Sequence, residues 1–234
     1  MALTPDAPNE SFLREVDENL RRDQMSDFAK RYGKWLIVGV VLFLAAVAGW
    51  LYWQDRQKQT AAAQSEELSA AYTDIVADKT APAKQRLQAL VSADSDVVRA
   101  SALLTQAALA LDANDRAGAL AKYKALSDGA MPAPYQELGL IRATALEFDA
   151  IKPEEVIARL QPLAKPGEPW FGTAGEMMAM AYLKQGQKQP AAKLFAAIAA
   201  DKAVPETLRR RAAQIAGTLG VDASASIADT NQQD

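Results

Sequence analysis

One stretch of the chain is apolar at every step, and the remainder repeats its apolar positions every three or four residues. Residues 35–53 read WLIVGVVLFLAAVAGWLYW, without a single charge. Wound as a helix, this run is about 28 Å long, close to the hydrocarbon thickness of a bilayer. Its ten strongly apolar members, from Leu36 to Leu51, favour insertion by about 3 to 6 kcal/mol in all, at roughly 0.3 to 0.6 kcal/mol each. Trp35 stands at one end and Trp50, Tyr52 and Trp53 at the other, where amphipathic rings settle at headgroup level. A soluble core helix rarely stays uncharged over five turns, and a cleaved signal has a shorter apolar region, so the pattern predicts a retained single span. Arg21, Arg22, Lys30, Arg31 and Lys34 flank it on the amino side, against Arg56 and Lys58 on the carboxyl side. That asymmetry predicts a cytoplasmic amino terminus, with the carboxyl-terminal part across the membrane, which in a bacterial inner membrane is the periplasm.

Beyond residue 53 no two-residue alternation signals a strand. The helical period predicts helices over 54–77, 82–92, 97–113, 116–126, 134–149, 153–164, 171–185, 190–201 and 205–219, several opening on a proline, whose missing N–H costs nothing there. The first of them can continue the span, since 54–64 holds neither Gly nor Pro. Four segments result: a cytoplasmic leader (1–34), a transmembrane helix (35–53), a helical domain (54–220) and a disordered tail (221–234). In the leader, Ser11 is placed to cap a short amphipathic helix carrying Phe12, Leu13, Val16 and Leu20. The tail has little to bury.

Helices in pairs call for a search for a fixed period. Ala179, Tyr182, Gly186, Ala191, Phe195 and Ile198 share their spacings with Ala107, Ala110, Asn114, Ala119, Tyr123 and Leu126, and the two sets lie 72 residues apart, two periods of 36. This is the small–aromatic–turn–small–aromatic–apolar pattern of a tetratricopeptide repeat: small residues let two antiparallel helices approach and the turn residue reverses the chain. A divergent unit fills the interval, with Val156, Leu160 and Leu163 in its second helix and Ile151-Lys152-Pro153 in place of the glycine turn. Residues 205–219 then serve as a capping helix and 54–92 as an irregular first pair. The fold class expected is therefore all-α: one transmembrane helix followed by an α-solenoid of tetratricopeptide type.

Composition removes most chemistry. The 234 residues include no Cys and no His, so thiol nucleophiles, imidazole bases and nearly all zinc, haem and iron–sulfur ligand sets are absent. A net charge of −3, from 26 basic and 29 acidic residues, gives no electrostatic footprint for nucleic acid. Glu137, Glu147, Glu154, Glu155, Glu176 and Glu206 each fall on a polar helix face without a nucleophile motif or phosphate loop nearby, and read as solvated charge. The expectation is a binding protein: no enzyme, no cofactor, no metal and no small-molecule substrate.

The order of Gly33-Lys34, Val38-Gly39-Val40, Gly49-Trp50 and Tyr52-Trp53, then the repeats, then Gly167-Glu168-x-Trp170 ahead of the last unit, resembles the YfgM family of bacterial inner-membrane proteins. The likeness runs from about residue 31 to 219. It implies an ancillary subunit of the SecYEG translocon, held by one helix, with its repeats in the periplasm and working beside a membrane-anchored periplasmic chaperone of prolyl-isomerase type. Fold alone also suits a scaffold for cell division or for cytochrome maturation.

In such repeats the first helix of each pair lines the concave face. The outward positions expected to meet a partner are Thr173, Glu176, Met177, Met180 and Lys184 in the last unit, and Ser101, Leu104, Ala108 and Asp112 in the earlier one. Met177 and Met180 suit a groove for varied apolar segments, while Met178 reads as core. A lesser surface is the small-residue pair Ala45 and Gly49 on the span.

Overall fold

The computed structural model describes residues 7–223, with side-chain surroundings for 34, 35 and 37–223. Among them are nine helices and no strand: α1 (Ala7–Val76), α2 (Thr80–Leu90), α3 (Asp96–Asp112), α4 (Arg116–Asp128), α5 (Ala133–Glu147), α6 (Pro153–Leu160), α7 (Phe171–Lys184), α8 (Lys188–Ala200) and α9 (Glu206–Thr218). The all-α expectation stands. The leader and span do not form separate helices, because α1 runs without a break through both. Ser11 consequently lies inside a helix that already begins at Ala7 rather than at a helix start. The tail beyond residue 223 lies outside the described residues.

The chain divides into two compact units, Met1–Ala62 and Ala63–Asp234. In the first, the aromatic and aliphatic side chains of the apolar run stand exposed, from Trp35 (75%) through Phe43 (67%) to Trp53 (58%). Among the described residues one helix, Ile37–Val76, is long and apolar enough to cross a membrane, and none of its most apolar stretch is buried in the protein. Side chains of this character need a nonaqueous surrounding, which favours a single span.

In the second unit each helix packs on its neighbours in sequence, from α2 against α3 to α8 against α9, and α9 also reaches α7. Contacts confined to near neighbours define a solenoid. The pair expected to be irregular is regular. Ala71, Ala107, Ala143 and Ala179 recur every 36 residues, and all four are buried where a first helix meets its partner. Twelve, sixteen and nineteen residues after the first come Ala83, Leu87 and Leu90, at the spacings of Ala119, Tyr123 and Leu126 and of Ala191, Phe195 and Ile198, all buried. The end of α1 is thus the first helix of a first repeat, and the solenoid holds four hairpins plus the capping helix α9. The regularity escaped the sequence reading because Asp78 stands at the turn, where a glycine or asparagine was sought.

The turns explain the period. Asp78 (φ 57°), Asn114 (φ 58°) and Gly186 (φ 75°) each adopt the left-handed conformation just past a helix end. After each, two amides turn back in the same pattern: Asn114 N–H to the Leu111 carbonyl at 2.9 Å and Asp115 N–H to Ala110 at 2.7 Å, Gly186 to Leu183 and Gln187 to Tyr182 at 2.9 Å each, Asp78 to Ile75 at 3.0 Å and Lys79 to Asp74 at 2.8 Å. These are Schellman closures, which satisfy the last carbonyls of a helix and reverse the chain within a few residues. The same closure at Gly220 ends α9, sending Val221 onto the last core cluster, where Ala223 is buried.

The third hairpin has no left-handed residue between α5 and α6; Pro153 starts α6 directly. One residue is inserted there, so Val156 follows Ala143 by 13 positions where the other units have 12, and Leu160 and Leu163 keep the regular spacing after it. Val156 and Leu160 are buried, and α6 leans more on α7 than on its own partner α5. α6 also ends at Leu160, four residues short of the predicted 153–164.

Candidate functional site

The two predicted stripes occupy equivalent places, 72 residues apart, on α3 and α7. On α7, Thr173 is exposed and Met180 is 42% exposed. Met177 is half-buried and packs against the core cluster that α7 shares with Ile141, Val156 and Leu160 of the third hairpin. Glu176 takes an ion pair from Arg211 of the capping helix at 2.6 Å. Lys184 donates to Asp149 at 2.6 Å and to the Phe148 carbonyl at 3.3 Å, with its ammonium 4.4 Å from the Phe148 ring centre. On α3, Leu104 is half-buried between two core clusters, Ser101 is half-buried with its carbonyl accepting from Thr105, and Ala108 and Asp112 are exposed. Met178 is buried, as expected of core.

The stripes therefore separate into two kinds. Glu176, Met177, Lys184 and Leu104 pack on or pair with neighbouring helices, while Thr173, Met180, Ala108 and Asp112 stand exposed. Tyr72, on the last turns of α1, is a further exposed position that the sequence reading missed; it is 42% exposed and its hydroxyl lies 3.4 Å from Thr105 Oγ1. Recognising Ala71 as the start of the first repeat is the signal that finds it.

Several charges tie neighbouring helices together. Glu147 of α5 accepts from Lys124 of α4 at 2.8 Å and from Arg159 of α6 at 2.7 Å, tying three helices at the hairpin that lacks the regular turn. Lys124 first and Arg159 second hold the Glu147 carboxyl below the usual carboxylate range. Lys184 lowers Asp149 in the same way. Arg86 of α2 bridges Glu67 at 2.7 Å and Asp74 at 2.9 Å, fastening the end of α1 into the first hairpin. The Gly167–Trp170 stretch is also a fastening: Gly167 N–H donates to Asp201 at 2.8 Å and the Trp170 indole to Glu137 at 2.9 Å. Arg210 pairs with Glu206 on the capping helix, so two of the three consecutive arginines are neutralised internally. Among the described residues no three acidic side chains gather as a metal site.

A stack of helical hairpins with a 36-residue period of buried side chains, joined by ion pairs between neighbours, has the architecture of the tetratricopeptide class. The family model for the tetratricopeptide repeat-like domain matches residues 26–217, and the chain belongs to that family. It is also similar to the ancillary SecYEG translocon subunit of Haemophilus influenzae, at 26% identity over 134 residues, which is 57% of this chain. The match spans 65% of that relative's length. No solved structure matches the chain.

Proposed function

We propose that this chain is an inner-membrane scaffold serving the SecYEG translocon. Residues 35–53 anchor it with the amino terminus in the cytoplasm, and residues 54–220 stand in the periplasm, where the repeats hold partner polypeptides, among them a membrane-anchored chaperone. The observation that carries the reading is the likeness to an ancillary translocon subunit in a chain that couples an apolar, exposed helix to tetratricopeptide repeats. The excess of basic residues before the span supports the orientation. The work is binding rather than turnover, through the exposed stripe residues Thr173, Met180, Ala108 and Asp112, with Tyr72 beside Thr105.

Affinity purification of the full chain from mild detergent, read by mass spectrometry, tests the assignment. Recovery of SecY-type subunits is expected; recovery of division or haem-lyase proteins in their place overturns it. Protease added outside spheroplasts is expected to degrade the repeats, and protection of the carboxyl-terminal half contradicts the orientation. Met180→Lys, at an exposed position, is expected to reduce crosslinking to the chaperone or translocon while helicity is unchanged.

A further inference from the structure

The junctions between successive hairpins are built alike, and the first has a vacancy that the later ones fill. An open pocket of about 230 Å³ lies between α2, α3 and α4, lined by Lys84, Gln88, Gln106, Ala110, Asp115 and Lys122 together with Ala113 and Gly118. Moving 36 residues along the chain carries Lys84 to Leu120 and Ala110 to Leu146, both packed into the core cluster around Tyr123. Moving on to the third junction, with the one-residue insertion, carries Lys84 to Ile157, Ala110 to Tyr182 and Lys122 to Leu194, all packed against core clusters. Large apolar side chains close the third junction at all three places and the second at two, with Arg159, paired to Glu147 and Glu155, standing in the place of Lys122 there. At the first junction the equivalent places hold an alanine and two lysines.

The vacancy has its own chemistry. Gln106 lines it and is 9% exposed; its Nε2 makes a long contact of 3.4 Å to Gln88, and its buried Oε1 meets no donor. A buried acceptor without a partner costs free energy that an incoming N–H or O–H recovers. Asp115 spends Oδ1 on the Gly118 amide at 2.8 Å, capping α4. Lys84 and Lys122 form no ion pair with an acid among the described residues, and both line the pocket. An apolar floor at Ala110, Ala113 and Gly118, a deep acceptor without a donor and two cations at the lining, with the Asp115 carboxylate tied through one oxygen to the Gly118 amide, call for one aromatic side chain with a hydrogen-bond donor, flanked by carboxylates.

We infer that the notch between α2, α3 and α4 receives a tyrosine flanked by acidic residues, presented by a partner polypeptide. The ring occupies the space that Tyr182 fills at the third junction, its hydroxyl donates to Gln106 Oε1, and the flanking carboxylates meet Lys84 and Lys122. None of these residues belongs to the stripe on α3 and α7, so the inference does not depend on the translocon assignment.

The test uses the full chain in phosphatidylcholine nanodiscs and the dye-labelled peptide Glu-Glu-Tyr-Glu-Glu, followed by fluorescence anisotropy. Saturable binding is expected, weakened at least tenfold when the tyrosine is replaced by alanine or the glutamates by lysines. Ala110→Leu, which copies the filled second junction, is expected to weaken binding at least tenfold with circular dichroism unchanged. Lys122→Glu, at a half-buried position that does not threaten folding, is expected to do the same. No saturable binding overturns the inference. So does a peptide whose alanine version binds as well as the tyrosine version, or undiminished affinity in Ala110→Leu and Lys122→Glu.

Discussion

The hairpin α7–α8 and the hairpin α5–α6 carry the same order of buried side chains through different turns, the latter one residue longer. In the former, Gly186 closes the helix in the left-handed conformation and the two helices pack along their length. In the latter, an extra residue and Pro153 replace that closure, and α6 turns its apolar face chiefly to α7. Side-chain bonds brace the hairpin with the irregular turn: ion pairs from Lys124 and Arg159 to Glu147 and from Lys184 to Asp149, and a hydrogen bond from Gln185 to Glu154 at 2.8 Å. What the repeat must keep is the order of buried side chains. The turn can vary if side-chain bonds take over the positioning.

Breaking the cores separates the two hairpins most strongly. Phe195, wholly buried between α7, α8 and α9, is expected to cost about 3 to 5 kcal/mol on replacement by alanine. Leu160→Ala is expected to cost about 2 to 5 kcal/mol, and to loosen α7 as well as α5 because its cluster reaches Ala174 and Ala181. Urea denaturation gives the totals and hydrogen exchange their distribution.

The turns come next. Gly186→Ala places a side chain at φ 75° and is expected to cost about 1 to 2 kcal/mol. The ionic clamp follows at about 1 kcal/mol for Glu147→Gln, since its cationic partners are partly solvated. Because the folded carboxyl titrates below its unfolded value near 4.3, the clamp's contribution is complete above about pH 5 and is lost as pH falls through the lowered folded value. Glu147→Gln therefore flattens the acid limb of a stability–pH curve. The smallest effect is at Ala150, whose backbone has no positive φ; glycine there is expected to lose about 0.5 kcal/mol, where a left-handed turn would have gained.

These differences also mark how far the sequence could be read. Two units and the divergent third were legible because Ala107, Tyr123, Ala179 and Phe195 fall at fixed offsets that burial enforces. The first unit was hidden by Asp78, a residue that tolerates the left-handed conformation less visibly than glycine does, and by its merger with a helix called apolar for another reason. The stripe on α3 and α7 was legible as spacing. That Glu176, Met177 and Lys184 are spent on Arg211, the Ile141 cluster and Asp149 was not, because such partners lie about 35 residues away in sequence and meet only once the hairpins stack. The notch at Ala110 becomes visible only when the first hairpin is put in register with the others.

The first repeat begins inside α1, at residues 66–76, and amide hydrogen exchange on the full chain in nanodiscs tests this most directly. Protection over residues 66–76 is expected to match that of α3, through Ala71 buried against Leu87 and Leu90 and the Arg86 bridge to Glu67 and Asp74. Exchange of 66–76 at the rate of a solvent-exposed helix, with 83–90 equally open, would contradict it.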